Sequence, residues 1–119
     1  EIESSLVAHP AVGEAGVVGV SDPVSGQAVA AFVVDGAAGA ADHNELRAQV
    51  TRDIGPIAKP KIIVRVPEIP KTRSGKILRR LLAQLWEGTE LGDTTSLQNP
   101  WAVEGVREAV RQVQEKETT

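Results

Sequence analysis

Two Val- and Ala-rich runs, Glu14 to Val20 and Gln27 to Val34, stand on either side of Ser21-Asp22-Pro23-Val24-Ser25-Gly26. Apolar runs separated by turn formers predict two antiparallel strands joined as a hairpin, and the rest of the chain has to be placed around that pair. Ahead of it, Ile2, Leu6 and Val7 lie at helical spacing in Glu1 to Val7, and the helix must stop before His9-Pro10. Behind it, Gly36 to Asp42 is small and flexible. Asp42 then caps a helix holding Leu46, Val50 and Ile54, with Glu45 in the capping-box position and Gly55-Pro56 ending it. Lys61 to Val66, with Ile62, Val64 and Val66 on one side, predicts a third strand. Pro67 and Pro70 bracket the loop that follows.

From Ile77 the residues Ile77, Leu78, Leu81, Leu82, Leu85 and Trp86 recur at the helical period, so one face packs on the sheet while Arg79 and Arg80 project outward. Residues 88–119 read as a loop plus a C-terminal helix: Gly88 to Pro100 at the surface, then Trp101 to Val113, which docks through Val103, Val106, Val110 and Val113 and frays at its polar end. The expected fold is a single α+β domain over 1–119, a small, mostly antiparallel sheet of about three strands flanked by helices, with an extra two-stranded hairpin possible.

With 119 residues, 41% of them hydrophobic, the chain can bury one modest core. A complete enzyme with its own deep cleft is not expected. The formal net charge of -3 argues against nucleic-acid or anionic-membrane binding, which needs a basic face. There is no Cys, so thiolate metal sites and a Cys nucleophile are excluded, which suits a cytoplasmic protein. No apolar run approaches a membrane span. The chain opens on Glu-Ile-Glu without a Met, which reads as a piece of something longer.

Charge is nonetheless concentrated in one place. Five of the thirteen Lys and Arg residues fall between Lys71 and Arg80, and no Asp or Glu lies between Ile69 and Trp86. An anion is the natural partner. Lys76 is expected where a loop becomes a basic helix, with Arg79 and Arg80 three and four residues on and the positive helix N-terminus beneath it. Ser74-Gly75 adds a hydroxyl and a backbone without a Cβ, letting a ligand approach. A solvated basic helix start explains the same residues. A P-loop does not, since Pro70 stands where that motif needs Gly and Ile77 where it needs Ser or Thr.

Pro-Lys-Thr-Arg-Ser-Gly-Lys-Ile at 70–77 resembles the lysine signature of AMP-forming acyl-CoA synthetases. Upstream, His9-Pro10-Ala11-Val12-Gly13-Glu14-Ala15-Gly16-Val17-Val18-Gly19 and Gly26-Gln27 resemble the small C-terminal domain of the acyl-adenylate-forming superfamily, so the likeness spans nearly the whole chain. Ile54-Gly55-Pro56-Ile57-Ala58 and Gly92-Asp93-Thr94-Thr95-Ser96-Leu97 are similar to the acetyl-CoA synthetase branch. The resemblance implies a lid that swings over a large N-terminal adenylating domain holding ATP, Mg2+ and the carboxylate. Lys76 would be its catalytic cation, and after adenylation another face of the lid would guide coenzyme A. It also implies a Lys76 that a GNAT-type protein acetyltransferase modifies and a deacetylase restores. Lys71, Thr72, Arg73, Ser74, Gly75, Arg79 and Arg80 would be the motif and recognition residues.

Two further sites follow from the resemblance. Val7, His9 and Val12 match a cation site built from a His and backbone oxygens, although a lone His before Pro10 reads on its own as structural or exposed. Thr51 stands where relatives tend to carry an Arg that contacts the coenzyme A phosphate, and neighbouring Arg52 is the candidate replacement. One residue on a helix turns a side chain by about 100°, so the replacement is not automatic. A free-standing phosphate- or nucleotide-binding module and an interaction domain serving as an acetyltransferase substrate stay open beside the lid.

Overall fold

The computed structural model describes residues 1–117. In chain order these form α1 (Ile2–Val7), β1 (Val12–Asp22), β2 (Gly26–Asp35), α2 (His43–Asp53), a 3-10 turn (Pro56–Ala58), β3 (Ile62–Arg65), α3 (Arg79–Glu87) and α4 (Ala102–Glu117). The predicted polar end of the last helix continues as helix to Glu117, while 118 and 119 lie outside the described residues.

The expected α+β fold is the observed one. The sheet has the order β1-β2-β3. The hairpin pairing is antiparallel, running from Val12 opposite Asp35 to Asp22 opposite Gly26, and it is interrupted by an irregularity between Val12 and Glu14. β3 joins β2 in parallel over the shorter stretch from Ala30 opposite Ile62 to Val33 opposite Arg65. A parallel neighbour needs a crossover, and α2 supplies it. The Asp42 carboxylate caps α2 as expected, accepting from the amides of Asn44 and Glu45 at 3.1 and 3.3 Å. Glu45 itself turns towards His9.

Period-two alternation along β2 sends side chains to two separate cores. Ala30 and Phe32 join Val20, Ile62, Val64, Leu81, Leu82, Leu85, Trp86 and the valines of α4 on one face. Ala31 and Val33 join Leu6, Ala15, Leu46, Val50 and Ile63 on the other. All four central residues of β2 are at most 2% exposed. Each large side chain so covered contributes on the order of 1.5–3 kcal/mol, so β2 anchors both helical layers.

Polar contacts tie the layers at the sheet's margins. At the hairpin turn the Asp22 carboxylate accepts from the Ser25 amide and hydroxyl at 2.8 and 2.7 Å and from Lys61 Nζ at 2.8 Å. Lys61 first, then Ser25, holds this carboxyl far below its usual range. At the free edge of β1 the Glu3 carboxylate accepts the Val17 amide at 2.8 Å and the Arg79 guanidinium at 2.7 Å. One side chain of α1 thereby covers an edge-strand donor and grips the start of α3. The Arg79 hydrogen bond, with a smaller contribution from the Val17 amide, holds the Glu3 carboxyl below the usual carboxylate value.

Close approach of backbone requires glycine at position 36. A Cβ on Gly36 would stand 3.0 Å from the Pro10 carbonyl oxygen and 3.1 Å from the Gly13 nitrogen, both backbone atoms that cannot swing aside. Gly36→Ala is expected to destabilise the domain by about 1–3 kcal/mol in urea unfolding. Gly19→Ala, whose Cβ meets nothing within 4 Å, should be neutral or stabilising by up to about 1 kcal/mol. Equal effects at the two sites would refute the crowding argument. Because the folded Glu3 carboxyl lies below its unfolded value of 4.5, its stabilisation is present above that pH and disappears as pH falls through the folded value. The stability gap between the parent and Glu3→Gln should therefore close on acidification below about pH 4.5, and a pH-independent gap would exclude the linkage.

Candidate functional site

Between β3 and α3 the chain makes a small closed loop that presents Lys76. Ile69 is fully buried and Pro70 is buried beside it, so the loop leaves from a fixed base. The Leu78 amide donates to the Pro70 carbonyl at 3.1 Å, closing the loop at its neck, and Lys71 bridges Ile77 in antiparallel fashion. Thr72 organises the tip. Its amide donates to the Lys76 carbonyl at 2.8 Å, its carbonyl accepts the Gly75 amide at 2.9 Å, and its hydroxyl accepts the Lys76 amide at 3.3 Å. The Thr72 and Ser74 hydroxyls lie 2.9 Å apart. Gly75 sits at φ 86, a left-handed conformation that a side chain would disfavour, with open space where a Cβ would stand.

This corrects one expectation. Lys76 does not stand at a helix N-terminus: α3 starts at Arg79 with Leu78 as its N-cap residue. Ile77 and Leu78 pack on the core from the loop, so the apolar period runs on past the helix that it seemed to define. Lys76 therefore has no helical i,i+3 relation to Arg79, and it does not sit on the positive end of a helix. The extra two-stranded hairpin foreseen as possible does not form among the described residues, where Lys71 and Ile77 make only an isolated bridge.

The basic cluster also divides. Lys71 forms an ion pair with Glu14, and Arg79 with Glu3. Arg80 donates to Gln84 Oε1 and to the Leu91 carbonyl, each at 3.1 Å. Arg73 and Lys76 are exposed, and neither side chain has a hydrogen-bond or ion-pair partner among the described residues. What reads in one dimension as a patch of five cations is in three dimensions two unengaged ones at a loop tip.

The remaining candidate residues lie elsewhere. Arg52 is exposed in the last turn of α2, its Nε 3.7 Å from Asp53 Oδ1. It lines a shallow hollow with Asn44, Arg47, Ala48, Thr51 and Lys59. Thr51 spends its hydroxyl on the Arg47 carbonyl at 2.9 Å. α2 packs in the core on one face of the sheet and Ile77 in the core on the other, so Arg52 and Lys76 belong to different layers. His9 has both ring nitrogens engaged: Nδ1 accepts the Ala11 amide at 3.1 Å and Nε2 faces Glu45 Oε2 at 3.3 Å. Accepting at Nδ1 places the hydrogen on Nε2, which donates to the carboxylate. With Val7 exposed at the end of α1 and Val12 paired in β1, this imidazole is placed to brace a turn, and as arranged it leaves no ring lone pair for a metal. No group of three or more His, Cys, Asp or Glu that could hold a metal occurs among the described residues. No helix among them is long and apolar enough to cross a membrane.

Sequence reasoning missed the contacts that hold the loop from outside. Thr72 bridges Leu97, the Gln98 amide donates to the Lys71 carbonyl at 2.9 Å, and Asn99 Oδ1 accepts the Lys71 amide at 2.8 Å. Residues 88–100 read as a surface loop because nothing in a polar, periodless segment signals burial, yet Asn99 is 1% exposed.

The comparisons with known proteins fit this geometry. The sequence model of the AMP-binding enzyme C-terminal domain matches residues 1–76, ending on the presented lysine. The acetyl-coenzyme A synthetase of Mycolicibacterium smegmatis is 55% identical over 111 residues, covering 90% of this chain and 12% of the relative. Among solved structures, the acyl-CoA synthetase of Brucella canis superposes with a TM-score of 0.66 at 43% identity, over 70% of this chain and 16% of that one. The acetoacetyl-CoA synthetase of Streptomyces lividans shares the fold with a TM-score of 0.76 over 93% of this chain and 17% of that one, at 21% identity. The chain thus spans less than a fifth of the length of each of these proteins. Its match over 1–76 and its identity to these synthetases show that it belongs to the AMP-binding enzyme C-terminal domain family, the C-terminal domain of acyl-adenylate-forming enzymes.

Proposed function

We propose that this chain is the mobile lid of an AMP-forming acetyl-CoA or short-chain acyl-CoA synthetase, a ligase, and that Lys76 is its adenylating cation. The observation that carries this reading is the exposed, unengaged Lys76 ammonium on a loop whose backbone is hydrogen-bonded on every side. A large N-terminal domain would hold ATP and the carboxylate. A carboxylate oxygen attacks the α-phosphorus, the bond to pyrophosphate breaks, and pyrophosphate leaves with the electron pair. Magnesium bound with ATP would share the phosphate charge. Lys76 donates to the oxygens on which negative charge grows, and a preorganised donor is worth most where water is excluded. An ammonium already paired within the lid would first have to break that pair, as Lys71 would with Glu14.

The second half-reaction uses another surface. Rotation of the lid would bring a different face to the acyl adenylate, and Arg52 on the opposite layer supports that division. Arg47, Arg52 and Lys59 around one hollow give a coenzyme A phosphate cationic partners, with Arg52 taking the role that Thr51 cannot. A cation at Val7, His9 and Val12 would rely on backbone oxygens, given the engagement of the imidazole.

Exposure makes Lys76 equally open to regulation. Acetylation by a GNAT-type acetyltransferase would remove its charge and its donors, and a deacetylase would restore them. Arg73 is the recognition cation left free at the same tip, whereas Arg79 and Lys71 are committed to Glu3 and Glu14. A cytoplasmic location belongs to the same reading.

In the enzyme that carries this chain, Lys76→Arg should keep the fold, resist acetylation and lower carboxylate-dependent pyrophosphate exchange by about 10²-fold or more, because the longer, planar guanidinium misplaces the charge. Exchange that persists would contradict the role. Calorimetric titration of the isolated chain with ATP or coenzyme A should show very weak binding. Tight binding to the chain alone would favour a free-standing nucleotide module.

A further inference from the structure

The lysine loop is gripped by a segment that follows it in the chain, and we propose that Asn99 is the positioning residue that sets where Lys76 stands. The inference rests on the reading of Lys76 given above. Asn99 is 1% exposed and uses its whole carboxamide. Oδ1 accepts the Lys71 amide at 2.8 Å, while Nδ2 donates to the Ile69 carbonyl and to Glu68 Oε2, each at 2.9 Å. It therefore holds the chain immediately before and immediately after Pro70. Proline has no N–H, so a backbone ladder cannot run through this point, and the side chain of Asn99 bridges the gap.

From there the restraint passes to the lysine by adjacent bonds. The Gln98 amide holds the Lys71 carbonyl at 2.9 Å and Leu97 bridges Thr72, whose amide, carbonyl and hydroxyl in turn fix Gly75 and Lys76. On its other side Asn99 is anchored in the core. Its carbonyl accepts the Ala102 amide at 2.9 Å to open α4, and Val103, Val106 and Val110 of that helix are buried. Glu68 completes the clasp by accepting Trp101 Nε1 at 2.7 Å, and Asn99 and then Trp101 hold its carboxyl below the usual range. The family match ends at residue 76, so this clasp at 97–101 lies beyond the segment that characterises the family.

A loop tip that must deliver an ammonium to a transition state is sensitive to displacement, for a shift of about 1 Å can cost on the order of 100-fold in rate. In the enzyme that carries this chain, Asn99→Ala is expected to lower the kcat of carboxylate-dependent pyrophosphate exchange by about 10- to 100-fold with the KM for ATP unchanged. Thioester formation from preformed acyl adenylate and coenzyme A should stay within about twofold, because a positioning effect on Lys76 touches only the first half-reaction. Combining Glu68→Gln with Asn99→Asp exchanges donor and acceptor at the Glu68 contact while leaving the Ile69 carbonyl without its donor, and should recover part of the exchange lost in Asn99→Asp alone. Val50→Ala, a truncation in the core on the opposite face of the sheet from the clasp, should lower Tm without changing exchange per folded molecule.

Parallel loss of both half-reactions, unchanged exchange in Asn99→Ala, or no recovery in the paired variant would overturn the proposal. Should Asn99→Ala not fold, the paired variant decides. Lys76→Ala separates the two levels: exchange that survives it sinks the reading of the lysine, whereas exchange that collapses there but survives every Asn99 variant sinks only the positioning role.

Discussion

Burial of β2 on both faces is the constraint from which the rest of the molecule follows. Ala30, Ala31, Phe32 and Val33 alternate between two cores, and neither core closes without helices laid across it. A sheet covered on one side only would expose either Phe32 or Val33. The chain meets the requirement with α1 and α2 on one face and α3 and α4 on the other, and the loop that carries Lys76 is the connection that leads into the second layer. The candidate site is thus a by-product of how a small sheet is covered, which is why its base is buried although its tip is exposed.

Electrostatics then sorts the basic residues. Glu14 and Glu3 project from β1 and α1 and take up Lys71 and Arg79, so the cations nearest the scaffold are spent on holding it together. Those at the tip are left for a ligand. In a domain whose net charge is -3, the positive charge at this tip comes from two local cations and not from a general field. On the proposed reading the same division would bear on regulation, since an unpaired ammonium needs no rearrangement of the fold to meet a modifying enzyme.

The hairpin, the cap at Asp42, the helical stripe of Leu81, Leu82, Leu85 and Trp86, and the docking valines of α4 were legible because each is a periodic or local signal. The residues of the candidate site could be singled out from the motif at Lys71 to Ile77, but their setting could not. Ile77 and Leu78 share the helical period of α3 while belonging to the loop, because burial from a loop and burial from a helix leave the same apolar mark. Asn99 left no mark at all: a polar residue among Gln98 and Pro100 reads as surface, and its burial is a consequence of partners at Glu68, Ile69 and Lys71 some thirty positions away.

By itself the sequence determined most of the segments that become helix and strand, which residues are apolar enough to be cores, and which cations cluster in the motif at 70–77. These depend on short-range patterns, and short-range patterns are written along the chain. Only the tertiary structure decided that β3 runs parallel to β2, that three of the five clustered cations are engaged, and that the lysine loop is held by a clasp from residues 97–101. Each of these depends on contacts between distant segments, whose free energy is settled by the packed arrangement as a whole and leaves no local periodicity to be read.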